Sequence, residues 1–315
     1  MILMHKSVLL EESISKLNLN ESSIIVDCTL GYAGHSSNIL KQIPKGFLYA
    51  FDQDDEAIKH SNEKLKGIAS NYEIIRSNFV NIKEELNNRN VNKVDGILYD
   101  LGVSSPQLDE DYRGFSFHKD AILDMRMDTT KELDAKYVVN NYTEEELIKI
   151  FYEYGEEKYA RSIAKGIVEY RKNKKIETTL ELVEIIKNNV PEKYKRDKHP
   201  ARKVFQAIRI EVNDEINVFK KSLQDALSLL SLNGRICVIT FHSLEDRACK
   251  EIFKEAAELD ANLKRLPVIP LEYQKDFKII GTYKPTKAEL EENNRARSAR
   301  LHVIERVKEW YYGKK

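Results

Sequence analysis

Three carboxylates close apolar runs: Asp27 ends IIVD, Asp52 ends FLYAFD and Asp100 ends GILYD. If those runs are strands of an open parallel sheet, the carboxylates meet whatever binds beyond its carboxyl edge. The first is followed by D-C-T-L-G-Y-A-G-H, a turn with Gly31, Ala33 and Gly34 ahead of His35. Small residues let a ligand approach the backbone closely, and the helix N-terminus that follows favours negative charge. Asp52 comes 18 residues after Gly34, where a carboxylate can accept both hydroxyls of a ribose. Turn and carboxylate together point to an adenosine-containing cofactor. NAD would want the full G-x-G-x-x-G for its pyrophosphate, which this turn lacks. S-adenosyl-L-methionine has no pyrophosphate and needs acceptors for an ammonium group, which Asp27 and Asp100 are placed to supply. The pattern favours S-adenosyl-L-methionine. Phe79, after the third apolar run, either lies against an adenine ring or is an ordinary core aromatic.

After Asp100 comes a broken polar turn, Gly102, Ser104, Ser105 and Pro106, and then Tyr112, Arg113, Phe115, Phe117, Asp124, Arg126 and Asp128. Exposed phenylalanine gains nothing from water, so something flat or apolar is expected to cover this loop. The segment His242–Arg247 (HSLEDR) invites comparison with a hydrolase, but no G-x-S-x-G exists anywhere in the chain, and Ser243 reads as a helix cap. The seven histidines show no metal-ligand spacing, so no metal is expected.

These groups need a scaffold. Strands are expected over Ile24–Leu30, Phe47–Asp52, Tyr72–Asn78 and Val94–Leu101, with helices over Ser36–Ile43, Asp54–Lys66 and Ile82–Arg89 between them, after an N-terminal helix His5–Leu17. That β-α-β order calls for a parallel sheet with right-handed crossovers. From about Glu110 to Pro200 only helical periodicity appears, with capping-box spacing at Thr143/Glu146 and Thr178/Glu181. A basic linker over Lys193–Lys203, one long helix over Val204–Leu232, a fifth strand Arg235–Phe241 and an antiparallel pair, Phe277–Tyr283 with Ala299–Val307, complete the chain. The expected class is α/β: a doubly wound domain (1–110 and 204–315) interrupted by an all-helical insert (111–203).

The 315 residues are 42% apolar and 32% charged, enough for a full core, with no apolar run long enough to span a membrane. The N-terminus reaches acidic residues too early for a signal peptide. Cys28, Cys237 and Cys249 show no CxxC spacing, and free thiols in apparent strands predict a reducing, cytoplasmic setting. Net charge is zero, yet residues 156–203 hold 14 Lys/Arg against 8 Asp/Glu, and 295–315 hold 7 against 2. Two basic stretches fit a phosphate-backbone footprint.

Taken together, DCTLGYAGHS, FDQDDEAI, VDGILYDLGVSSPQLDEDYRGFSF with LDMRMD, KVFQAIRIEVNDEI, ICVITFHSLEDR and NNRARSARLHVIER resemble the RsmH (MraW) family over nearly the whole chain. The resemblance implies a class I (Rossmann-like) methyltransferase sheet with an inserted substrate-recognition domain. It also implies methylation of the exocyclic amine of a cytidine in the decoding region of 16S ribosomal RNA. Carried over by motif, the cofactor residues are Ala33, Gly34, His35, Asp52, Phe79, Asp100 and Gln107. The family turn has glycine where this chain has Ala33, so a φ below zero is expected there. Cytosine's amine is a weak nucleophile, and acceptors for its N–H hydrogens would favour the transition state. Asp100 is either such an acceptor or the ligand of the cofactor ammonium; the family supports the second, leaving Ser104 and Ser105 for the first. Tyr112, Phe115 and Phe117, with Phe241 as runner-up, are candidates to stack on an unstacked base. Arg113, Arg126, Arg295 and Arg297 are placed to meet phosphates, and His242 lies at the rim. The implied partner is 16S RNA within the small ribosomal subunit, with no membrane, and the insert's apolar faces could join two copies. The competing readings are a NAD-linked oxidoreductase and a non-catalytic RNA-binding module.

Overall fold

In the computed structural model the described residues are 7–103, 112–197, 199–259, 263, 270 and 273–308. Seven strands form one sheet: β1 Ile24–Asp27, β2 Phe47–Asp52, β3 Tyr72–Arg76, β4 Val94–Asp100, β5 Leu230–Thr240, β6 Phe277–Tyr283 and β7 Arg300–Arg306. Their order is β3-β2-β1-β4-β5-β7-β6. β1 to β5 pair in parallel, and β7 lies antiparallel between β5 and β6. The chain winds outward from β1 to β3 and then restarts at β4 on the other side of β1. Ligands of open α/β sheets bind at such a reversal.

Parallel strands are buried on both faces, which is why each reads as a continuous apolar run. Successive side chains point to opposite faces. Ile25, Leu98, Cys237, Ile239 and Val303 share one core with Ile14, Ile39 and Leu65 of the helices Leu10–Lys16, Gly34–Gln42 and Asp55–Lys66. Val26, Ile97, Tyr99, Ile236, Val238 and Ile304 share another with Leu86, Phe219, Leu223 and Ile252 of the helices Ile82–Asn88, Glu215–Leu229 and Ser243–Ala257. Cys28, Cys237 and Cys249 are free thiols buried in these two layers. No described helix is long and apolar enough to cross a membrane.

The chain divides into two compact units, Met1–Gly102 with Ile216–Lys315, and Val103–Glu215. Among the described residues the second holds the helices Ala135–Asn141, Glu144–Glu153, Ala160–Arg171, Thr179–Asn188, Glu192–Asp197 and Ala201–Asn213. Both expected capping boxes form, Thr143 with Glu146 and Thr178 with Glu181. Phe115, Leu147, Phe151, Ile163, Ile186, Phe205 and Ile208 belong to its core.

Three sequence expectations need correction. The helix expected over Val204–Leu232 is two helices parted at Asp214, whose φ of 52° breaks the run. Val204, Phe205 and Ile208 fill the helical unit's core, whereas Phe219, Leu223 and Ala226 fill the sheet unit's. One apolar stripe serves two cores, so its periodicity passes unmarked through the break. The helical unit therefore takes in Ala201–Asn213, beyond the 203 expected as its end. Nor is Lys193–Lys203 a linker. It holds the end of one helix and the start of the next, and the Tyr194 hydroxyl donates to buried Glu157 Oε2 at 2.6 Å.

Candidate cofactor and acceptor site

Asp27 pairs in register with Ala50 of β2 and Leu98 of β4. Asp52 and Asp100 each lie two residues further on, so they stand level on either side of the β1 end. The turn after β1 ties the three strand ends together. The Thr29 hydroxyl accepts the Asp100 N–H at 2.7 Å, and the Gly31 N–H donates to Asp52 Oδ2 at 2.9 Å. The Gly31 carbonyl in turn accepts the Ser61 hydroxyl at 2.6 Å.

The carboxylates divide their roles by burial. Asp27 is 1% exposed and accepts the Ser36 hydroxyl at 2.6 Å and the Thr29 N–H at 3.0 Å. It holds the turn, which corrects its expected share in binding an ammonium group. Burial raises its pKa against those hydrogen bonds. Asp52 also accepts the Asp54 N–H at 2.9 Å. A carboxylate has about four acceptor positions, so both oxygens of Asp52 keep room for another donor. Burial pushes its pKa to about 7.

Asp100 is different. Its Oδ1 is a buried oxygen with no hydrogen-bond partner among the described residues, and Oδ2 lies 3.6 Å from His35 Nδ1. Burial, reinforced by Asp27 and Glu245, raises its pKa to about 8. His35 is 4% exposed, its Nε2 is likewise unpartnered, and burial lowers its pKa to about 4. The neutral ring cannot neutralise Asp100. Native proteins rarely leave buried polar atoms unmatched, and those that do mark a ligand position or a reservoir of strain. An acidic group without its cation suits the ammonium of an amino-acid moiety, and Asp52 suits a ribose. These residues fit S-adenosyl-L-methionine.

The turn's small residues have other duties than expected. Ala33 adopts φ 55°, left-handed and fully buried, which corrects the expected φ below zero. A side chain there carries about 1–2 kcal/mol of strain that glycine would not. At Gly34 a Cβ would come within 1.8 Å of the Ser7 hydroxyl and 3.1 Å of its Cβ, so the glycine leaves room for the Ser7 side chain, which would otherwise have to turn aside. Phe79 is half-buried and packs edge-on against Tyr99 at 5.7 Å. It serves the core on one side and is still open on the other.

Beyond β5 the cap of helix Ser243–Ala257 is His242 rather than Ser243, and it forms a capping box with Glu245. Buried Glu245 Oε2 accepts the N–H groups of Phe241 at 2.7 Å and His242 at 3.2 Å, fixing that loop. His242 Nε2 sits 3.0 Å from Glu245 Oε1. Glu245 escaped the sequence reading, although the spacing His-x-x-Glu is that of a capping box. Arg295 and Arg297 lie in the 3-10 turn Asn294–Ser298 before β7, the first half-buried and the second exposed.

In the helical unit, Arg113 is 8% exposed and donates from Nη2 to the carbonyls of Arg126 at 2.9 Å and Met127 at 3.3 Å. Arg126 forks onto Asp124 at 2.8 and 2.7 Å and reaches the Lys131 carbonyl at 2.6 Å. Phe115 is in the core. These three, expected to face RNA, instead fold their own loop, and the apolar cover expected over that loop is the unit's helices. Tyr112 is 59% exposed, and Phe117 stacks on His199. Ser104, Ser105 and Gln107 lie outside the described residues.

Residues 2–307 match the family model described as the MraW methylase family. Over 309 residues the chain is 52% identical to the ribosomal RNA small subunit methyltransferase H of Exiguobacterium sibiricum, a match covering 97% of this chain and 99% of that protein. Among solved structures it resembles an rRNA methylase from Streptococcus thermophilus at a TM-score of 0.43 and 11% identity, covering 98% of this chain and 100% of that one. NSun6 from Pyrococcus horikoshii with SFG gives 0.45 and 11%, covering 98% and 56%.

Proposed function

The chain belongs to the MraW methylase family, and on that premise we propose that it transfers a methyl group from S-adenosyl-L-methionine to the exocyclic amine of a cytidine in the decoding region of 16S ribosomal RNA. The observation that carries the reading is the unmatched Asp100 carboxyl beside His35, level with Asp52 across the end of β1. The relative from Exiguobacterium sibiricum, a small-subunit ribosomal RNA methyltransferase by name, supports the substrate class.

The cofactor, when bound, supplies an electrophilic methyl group on a sulfonium. Asp52 accepts from the ribose hydroxyls, the Gly31–Gly34 turn borders the ligand, and the open face of Phe79 lies toward adenine. Asp100 takes the ammonium and must be ionised to do so. Ser104 and Ser105, after β4, accept the N–H hydrogens of the target amine. Glu245 holds Phe241 and His242 in place after β5, and Arg295 and Arg297 meet phosphates. No strong base is needed, since the methylated amine is acidic enough to lose its proton to water. Holding both reactants in a near-attack pose supplies much of the rate.

A pH dependence follows from Asp100. Its raised pKa of about 8 means that the cofactor-free protein holds a proton there at neutral pH. Binding a cation expels that proton, so affinity rises with pH from about 6 to about 8. Titration calorimetry in buffers of different ionisation enthalpy is expected to show net proton release at neutral pH. Uptake, or none, would place the ammonium elsewhere.

The function itself is tested by tritium transfer from labelled cofactor to small subunits that lack the modification, followed by nucleoside analysis. The label is expected in N4-methylated cytidine from the decoding region. Label in another nucleoside, or in none, overturns the proposal.

A further inference from the structure

We infer that the helical unit carries a docking platform for an unpaired RNA strand, formed by His118, Phe117 and His199, with Lys193, Arg196 and Arg202 flanking His199 in the chain. This rests on the RNA-methylation reading above. Phe117 stacks on His199 with ring centroids 4.6 Å apart and planes 25° from parallel. His118 lies 4.4 Å from Phe117 and 5.3 Å from His199, and Phe205 supports Phe117 edge-on from the core at 5.7 Å. The cluster is therefore backed by packed helices while His118 is exposed and Phe117 and His199 are half-buried.

Its chemistry suits nucleobases. The Ala201 N–H donates to His199 Nδ1 at 3.3 Å, which leaves the proton of the neutral ring on Nε2. Burial, with His118 and Lys187 close by, lowers the His199 pKa, so the ring is uncharged at neutral pH. Phe117 and His199 are thus a fixed, neutral aromatic surface, and bases of any identity stack on such rings.

The surroundings suit phosphates. The segment 193–203 contains six Lys/Arg and one Asp. Lys195 pairs with Glu192, and Lys203 donates to the Glu156 carbonyl at 2.5 Å. Lys193, Arg196 and Arg202 are exposed and form no ion pair among the described residues. The Arg202 N–H donates to the His199 carbonyl at 3.2 Å, so the cationic segment is anchored to the aromatic one. A stacked aromatic cluster flanked in the chain by cations outside any ion pair among the described residues suits a single strand, which offers bases and phosphates together.

The test is fluorescence anisotropy with a labelled single-stranded RNA spanning the methylated site, using the full chain. His118→Ala, at an exposed position, is expected to weaken binding about ten-fold through lost stacking. Arg196→Gln and Arg202→Gln are each expected to flatten the slope of log K against log salt by about 0.7. Cofactor affinity and thermal melting are expected to stay at wild-type values in all three. RNA affinity and salt slope unchanged in the three variants, with wild-type label transfer intact, would overturn the platform and leave the methyltransferase reading standing. A wild-type chain that neither binds the RNA nor labels subunits would overturn both.

Discussion

Replacing Asp100 by asparagine is expected to cut methyl transfer about 1,000-fold, which corresponds to about 4 kcal/mol of lost stabilisation, while making the cofactor-free protein more stable. The two effects have one origin. Asp100 is 25% exposed at its side chain, has an unmatched oxygen, and sits near two further acids, Asp27 and Glu245. Ionising it in the empty site is unfavourable, and only a cation relieves that. The sign of the stability effect follows. The folded-state pKa of about 8 lies above the ordinary 3.8. This group's contribution is therefore fully present below the unfolded value and is lost as pH rises through the folded one. Asparagine removes the dependence. The roughly four-unit gap between the two values corresponds to about 5 kcal/mol, so the variant is expected to exceed the wild type by up to that amount near pH 8 and to match it near pH 4. Urea denaturation across that range, beside a label-transfer assay, reads both halves. Asparagine that lowers stability at pH 8 would show that Asp100 is matched in the native protein and would remove the basis for its role.

The second large effect is expected in the helical unit. Gly114 has φ 73°, and a Cβ there would come within 2.3 Å of the Ile122 carbonyl oxygen and 2.9 Å of the Asp124 nitrogen. The obstacles are backbone, which cannot turn aside as a side chain can. Gly114→Ala combines left-handed strain of about 1–2 kcal/mol with that clash, so a loss of about 3 kcal/mol or more is expected. The loop it belongs to is held by few but specific contacts. Arg113 braces the carbonyls of Arg126 and Met127, and Asn213 bonds the Met127 N–H at 2.8 Å and the Met125 carbonyl at 2.8 Å. A urea midpoint that does not move would mean that this loop lacks the conformation described.

The sheet was legible because parallel strands buried on both faces must be apolar throughout, and β1, β2 and β4 each announce their end with an aspartate. The capping boxes at Thr143 and Thr178 were legible because their hydrogen bonds are local. What lay hidden depended on distant partners. Nothing near Arg113 or Phe115 in the chain says that helices will fold over them. Ala33 gives no sign of its left-handed backbone, which the surrounding turn imposes against its preference. Asp214 looks like any polar residue on an amphipathic helix. The placement of Asp52 and Asp100 at strand ends could be read from the apolar runs. That Asp27 braces the turn while Asp100 is left unmatched could not, since both are aspartates at strand ends and only the neighbours differ. Glu245 was overlooked because histidine is an uncommon cap.

The three cysteines have a practical consequence. Each is sealed inside the sheet unit, with burial pushing its thiol well away from reactivity. A thiol reagent can meet them only when that unit opens, so the native chain should be silent toward alkylation over times on which it remains closed. The protein thus offers a blank background: a single cysteine introduced on the surface of the helical unit could be tagged with a dye there alone, and any slow extra label would clock the opening of the sheet.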